Sequence, residues 1–482
     1  MPPPGDPEDL ANLELSGAEM RAMAAQVVDR VVDHILGLGD LPARGPVDDG
    51  AAFGRTLVEP APEQGAELES LLEPLLDDWA LRTFTSAGPG YLAYVPGGGI
   101  FPTALADFIA DGINRYTGVW NASPALVQLE ANVLDWLRDW MAYPSTTRGL
   151  LTSGGSLATF SAIVAARHKL LGTQLREGVL YTSSQTHHCV AKAAQLAGIL
   201  PDRQRIIAVD DRMRLRLDRL AEAIAADRRA GLHPFLVVSS AGTTNTGAID
   251  PLDAIADLCE AEGLWHHCDG AYGGFFYLCP ELRPQLSGLP RTDSLVLDPH
   301  KGLFLPFGTG ALLVRDGEAL RAAHGGHAGY LPPLPDDSIY NPCQFGPELS
   351  RPYRGLRIWL PLKLFGAQRF RAALAEKHAL ARQCAERVAA IEGIDLLEPP
   401  ALSLFAYQLG WPGASMEQRN QATQALLDGV VRRNRVLITG APVGDTFYGR
   451  VCVLCFRSRQ PHIDACVEDL AAEAEAVLKA RP

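Results

Sequence analysis

The chain has 482 residues, 47% of them hydrophobic and 21% charged, with 43 basic against 56 acidic side chains and a formal net charge of −13. That length exceeds what one compact core holds, so a large domain with a smaller companion is expected. The charge balance excludes general binding to nucleic-acid backbones or anionic membranes and leaves room only for a local basic pocket around one small phosphate.

In chain order, residues 1 to about 12 are Pro-rich and acidic, a composition expected to stay disordered. Apolar residues at Met20, Met23, Val27, Val31, Ile35 and Leu38 follow a helical period, and Gly37 and Gly39 mark its end. A second helix is expected over Glu67 to Leu81. Together they form an N-terminal helical segment, 1–87, whose apolar faces need the main domain or a partner subunit to cover them. The stretch Gly88 to Ile100, GPGYLAYVPGGGI, reads either as a connector or as the wall of a ligand cavity. Helices are expected at Phe101 to Ile113 and Ser123 to Met141, where Pro124 suits a helix start. Glu130 on the latter is either solvated or an inward partner.

From Gly149 the pattern alternates. Strands are expected at Gly149 to Thr152, Val179 to Ser183, Arg205 to Val209, Pro234 to Ser239, Leu264 to Asp269, Ser294 to Leu297 and Thr309 to Val314, with helices or loops between most of them. This is the signature of an α/β domain, 88–355, with a mainly parallel seven-stranded sheet and its ligand site along one edge. Helices at Leu356 to Phe370, Ala372 to Ile391, Met416 to Arg432 and His462 to Lys479, with strand-like runs at Ala401 to Leu409 and Arg450 to Phe456, make a smaller C-terminal α+β domain, 356–482. Cys452 and Cys455 form the one C-x-x-C among nine cysteines, but residues three apart on a strand face opposite ways, so buried thiols rather than a metal site are expected. Reduced thiols, a start (MPPPGDPEDL) without a basic-then-apolar leader, and no apolar run long enough for a bilayer suggest a cytoplasmic, membrane-free protein.

The chemistry gathers at strand ends. In SLVLDPHKGLFLPFGTG a buried strand delivers Lys301, a charge that is costly there unless paired, covalently used or functional. TSGGSLATFSAIVA places Gly154, Gly155 and Ser156 between a strand and a helix, an anion-binding turn. QTHHCVA offers flat imidazoles at His187 and His188, for stacking or for a metal, although neighbours on a chain rarely share one ion. AGTTNTGAIDP is a hydroxyl-rich turn that holds Thr244. In HHCDGAYG, Asp269 ends a strand and needs a cationic partner. Each taken singly favours a structural explanation. In sequence along one sheet they supply a phosphate turn, a stacker, a hydroxyl turn, a carboxylate and a lysine, the set that pyridoxal 5'-phosphate requires, with Lys301 as its Schiff-base lysine.

With these motifs, and with DPHK (298–301) as the most specific, the chain resembles the group II pyridoxal-phosphate-dependent amino-acid decarboxylases, the family of aromatic-L-amino-acid, histidine and glutamate decarboxylases. The resemblance runs from about Leu15 to the last helix. It implies the type I, aspartate-aminotransferase-like fold and a homodimer with interfacial active sites. It further implies that Lys301 carries the cofactor, Asp269 pairs with the pyridine nitrogen, His187 stacks on the ring and Ala271 packs on the other face. Gly155 and Ser156 would bind the phosphate with help from His300, and Thr244 would touch the cofactor. Tyr94, Val95 and Pro96 resemble a stretch lining the substrate pocket from a neighbouring subunit. ASPA (122–125) with Leu129 and Glu130, and RGLRIW (354–359), match two further family blocks. The family places a proton-donating tyrosine on a mobile loop, here 324–350, with Tyr340 preferred and Tyr330 second. Relatives with phenylalanine there make aldehydes. Asp298 stands where some members have asparagine, Val95 where aromatic decarboxylases often have phenylalanine, and Gly97 to Gly99 also depart. The expected activity is decarboxylation of an aromatic or related L-amino acid to its amine. Aldehyde synthesis or transamination on the same fold are the alternatives, and a non-catalytic scaffold, lacking a borohydride-reducible linkage at Lys301, is the alternative of another class.

Overall fold

The computed structural model describes residues 12–46, 50–326, 334–336 and 338–480. The expectation of disorder for residues 1 to 12 therefore falls almost wholly outside the described residues. The large domain is built on a seven-stranded sheet of order β1-β7-β6-β5-β4-β2-β3. Its strands are β1 (Arg148–Thr152), β2 (Gly178–Ser183), β3 (Gln204–Ile207), β4 (His233–Ser240), β5 (Trp265–Asp269), β6 (Ser294–Leu297) and β7 (Gly310–Val314). Strand β7 alone is reversed, pairing antiparallel with both β1 and β6.

Both faces of the sheet are covered, as its apolar strands require. Leu180, Leu236 and Val238 point into one buried cluster with the helix Gly155–Leu171, while Val179, Tyr181 and Val237 point into another with the helices Leu217–Arg229 and Leu252–Glu262. The parallel strands all end at the same edge, and their registers set Ser240 beside Asp269 and Asp269 beside Val296. Every motif singled out above leaves the sheet at that edge. Lys301 lies on the short helix Pro299–Gly302 in the β6–β7 connection. Close approach there needs glycine: a Cβ on Gly310 would lie 2.5 Å from the carbonyl carbon of Gly154.

The smaller domain has a four-stranded sheet of order β10-β11-β9-β8, made of β8 (Ile394–Leu396), β9 (Leu404–Leu409), β10 (Thr439–Val443) and β11 (Thr446–Cys452). Helices Met416–Arg433 and Gln460–Lys479 cover it. Strands β8 and β10 escape a pattern reading because one has three residues and the other carries Gly440 and Pro442, both poor strand formers. The two helices expected between Leu356 and Ile391 form one element, Arg354–Ala389, interrupted at Gly366 (φ 72°, ψ 152°) rather than near residue 371. All nine cysteines are free and all but Cys343 are buried. Among the described residues no helix is long and apolar enough to cross a membrane.

Glu130 turns inward. It is wholly buried, its Oε1 lies 2.7 Å from Arg351 Nη1, and its Oε2 accepts from the Gly355 amide at 3.2 Å, so the blocks around 122–130 and 354–359 lock onto each other. Arg351→Leu strands the Glu130 charge and is expected to cost about 3–5 kcal/mol of stability, read as a lower urea midpoint with an unchanged m-value. A shift under about 1 kcal/mol contradicts the pairing.

Candidate active site

One cavity of about 340 Å³ opens at the carboxyl edge of the sheet. Its lining includes Gly155, Ser156, His187, Thr244, Asp269, Ala271, His300 and Lys301, brought together from five separate strand ends. The helix Gly155–Leu171 starts in this cavity without a side-chain cap, leaving its first amides and the positive end of its dipole for an anion. A Cβ on Gly155 would sit 3.2 Å from Asp298 Oδ2 and 3.4 Å from Ala271 Cβ, a tight fit that would press on the Asp298 carboxylate.

Lys301 Nζ lies 2.9 Å from Asp298 Oδ2. Burial works to lower the lysine pKa, but Asp298 and Asp269 together outweigh it and hold the ammonium above its ordinary value. Asp298 is 2% exposed and its Oδ1 has no hydrogen-bond partner. Asp269 Oδ1 accepts from the Ala271 amide at 3.1 Å, which aims the carboxylate from the end of β5. His187 Nδ1 accepts from the Cys189 amide at 3.3 Å, and burial, the largest influence, lowers its pKa, leaving a neutral flat ring. Burial likewise lowers the pKa of His300, whose Nδ1–H donates to the Thr309 carbonyl at 2.6 Å while Nε2 lies 3.6 Å from Asp298.

The donor set suits a phosphorylated, cationic aromatic aldehyde: open amides for a phosphate, a carboxylate for a ring cation, a flat imidazole and a methyl group among the walls, and a primary amine for the aldehyde. Sequence reasoning missed Ser153, Thr159, Cys189, Ser240, Thr243 and Tyr272, which also line the cavity. Most are small or uncharged residues in apolar runs and give no pattern signal. Thr243 and Ser240 are the exceptions, lying in or beside the hydroxyl-rich turn.

One expectation changes. Tyr340 is not at this cavity: it borders a separate one beside the helix Pro124–Trp140, stacks on Phe345 at 5.2 Å, and its hydroxyl is buried without a partner. Half-buried in this apolar contact, Tyr340 does not face the cavity of its own chain, which gives no support to its preference over Tyr330; Tyr330 itself lies outside the described residues. Within the single chain Val95 and Pro96 are buried and line neither this cavity nor its neighbour, whereas their expected place is at a partner subunit's pocket. Tyr94 does border the neighbouring cavity, of about 590 Å³, which shares His187 and Thr244 with the first. The segment also packs on its own chain, since a Cβ on Gly97 would lie 2.2 Å from the His300 carbonyl oxygen.

A fold with a lysine, an aspartate and an uncapped helix converging at one sheet edge defines an enzyme that uses pyridoxal 5'-phosphate. The family model of the pyridoxal-dependent decarboxylase conserved domain matches residues 54–409, and the chain belongs to that family. It is 31% identical over 470 residues to the aromatic-L-amino-acid decarboxylase of Bacillus atrophaeus, covering 97% of this chain and 98% of that one. It is 29% identical to a phenylacetaldehyde synthase of Petunia hybrida, covering 93% of each. The crystal structure of Oryza sativa TDC with PLP and tryptamine superposes with a TM-score of 0.91 at 26% identity, over 97% of this chain and 99% of that one. The chain is thus a pyridoxal-phosphate-dependent amino-acid decarboxylase by family.

Proposed function

We propose that the protein converts an aromatic or related L-amino acid to its amine and carbon dioxide, working as a homodimer in the cytoplasm. The observation that carries this reading is the meeting of Lys301, Asp269 and His187 in one cavity whose neighbour is walled by Tyr94 and Phe84. Similarity to an aromatic-L-amino-acid decarboxylase supports the substrate class. Exposed apolar residues support the dimer: Met20 and Leu36 lie on the helix Gly17–Gly37, which buries none of its residues, and Phe108, 65% exposed, lies on Phe101–Ile113. A sedimenting mass near twice the 51.9 kDa of the chain checks it, and a monomer contradicts it. The buried free thiols suit a reducing compartment.

Bound cofactor supplies the electron sink that takes up the electron pair left at Cα when the carboxylate departs. Lys301 would hold the cofactor through its primary amine. Asp269 would pair with the ring nitrogen and favour its protonated form. His187 and Ala271 would hold the ring, and Gly155, Ser156 and His300 would take the phosphate, with Thr244 also contacting the cofactor. One proton must then reach Cα from a general acid, and we assign that role to Tyr330. Tyr330→Phe is expected to shift product from amine toward aldehyde, whereas Tyr340→Phe, which removes an unpartnered hydroxyl, changes kcat by less than about twofold. The reverse pattern by product chromatography returns the role to Tyr340.

A screen of L-amino acids for carbon dioxide release tests the substrate class. Tyrosine, tryptophan, phenylalanine or a hydroxylated relative is expected to lead. Release confined to aliphatic or acidic amino acids contradicts the reading.

A further inference from the structure

Arg450 lies on β11, in the middle of the small-domain sheet, paired with Thr439 on β10 and Ala406 on β9. It is 4% exposed. No carboxylate among the described residues pairs with it, and the ionisable groups facing it are Cys452, Tyr272, Tyr94 and Tyr91. A buried guanidinium without an acid is expensive, so its contacts must account for it. They are Thr439 Oγ1 at 2.7 Å from Nη1, and two backbone carbonyls from Nη2, Tyr94 at 3.0 Å and Thr244 at 2.7 Å. Its Nε is buried without a partner.

Those two carbonyls belong to segments that wall the active site. Tyr94 is a non-glycine residue at φ 52°, a conformation that persists only when its surroundings impose it. Its ring lies 6.4 Å from that of Phe84 and 6.3 Å from that of Tyr91, and it borders the cavity beside His187. Thr244 lines both cavities. We propose that Arg450 is a positioning residue that clamps the Tyr94 and Thr244 segments to the small domain and so fixes the wall shared by the amino-acid and cofactor cavities. The acceptors are divided between Nη1 and Nη2, a spread that a planar guanidinium fork spans and a single ammonium nitrogen on a shorter stem does not.

The inference rests on the decarboxylase reading only for the choice of amino acid. Arg450→Lys keeps a buried cation but loses the two-nitrogen fork that reaches both segments, and Arg450→Met keeps an unbranched chain without the charge. Both are assayed as holoenzyme for kcat and KM, and as apoenzyme for pyridoxal phosphate affinity by fluorescence titration. Loss of the clamp is expected to raise KM about tenfold and the cofactor Kd about threefold, with kcat within about twofold and Arg450→Lys between the other two forms. If Arg450→Met fails to fold, Arg450→Lys alone decides. A folded Arg450→Lys with KM and cofactor Kd both within twofold of the parent overturns the clamp. The cofactor titration reads the clamp even with an amino acid that is not turned over, so a wrong substrate and a wrong clamp give different results.

Discussion

Lys301→Ala is expected to lower kcat by at least about a thousandfold while the chain remains folded. Lys301 is the one lysine in the cavity, and no neighbour can replace it, because the remaining lining carries hydroxyls, imidazoles, carboxylates and a thiol. The thiol, Cys189, is held protonated by burial, which pushes its pKa to about 12. Removing the ammonium also leaves Asp298, already missing a partner at Oδ1, with only the more distant His300 Nε2, 3.6 Å away, at Oδ2. A loss of about 1–3 kcal/mol in stability should therefore accompany the loss of turnover. Borohydride treatment of the parent, followed by peptide mapping, should mark Lys301, and the variant should carry no mark. Multiple turnover at the parental rate would refute the assignment.

Asp269→Asn should be nearly as severe for turnover and far milder for stability. The amide oxygen can still accept from Ala271, so the end of β5 keeps its geometry. What disappears is the negative charge that would hold a proton on the ring nitrogen, and electrostatic contributions of this kind in a water-poor site are worth about 3–4 kcal/mol, or roughly a hundredfold to a thousandfold in kcat. Cofactor should bind less tightly too. The prediction separates charge from shape: kcat within about threefold of the parent, with the carboxylate gone, shows that the ring is not engaged by Asp269. Circular dichroism and unfolding of the apoprotein provide the control, since they should change little.

The parts of this site that could be read from sequence are those in which a buried strand ends in a residue it should not tolerate. Asp269 and Lys301 each break an apolar run, and both lie where that reasoning placed them. The glycine turn before Gly155 and the imidazole at His187 were legible for the same reason, since strand ends in a parallel sheet converge on one edge. Contacts that join distant segments were not. Glu130 on its helix looks identical whether it meets water or Arg351, and Arg450 looks like an ordinary charge on a half-buried strand until the Tyr94 and Thr244 carbonyls arrive from other parts of the chain. Tyr340 misled because a tyrosine on a loop has no periodic neighbours to show its direction, and its partner Phe345 lies within the same irregular stretch. In the smaller domain, β10 was hidden by Gly440 and Pro442, which are tolerated at the sheet edge.

The central claim is that the cavity around Lys301 removes a carboxylate and returns a proton to the same carbon. The most direct measurement follows carbon dioxide, amine and oxygen together while the holoenzyme turns over its preferred aromatic amino acid in a closed cell. Decarboxylation predicts one amine for each carbon dioxide with no oxygen consumed and no hydrogen peroxide formed. Aldehyde and peroxide in step with oxygen uptake, or an amine-free reaction that releases no carbon dioxide, would contradict it.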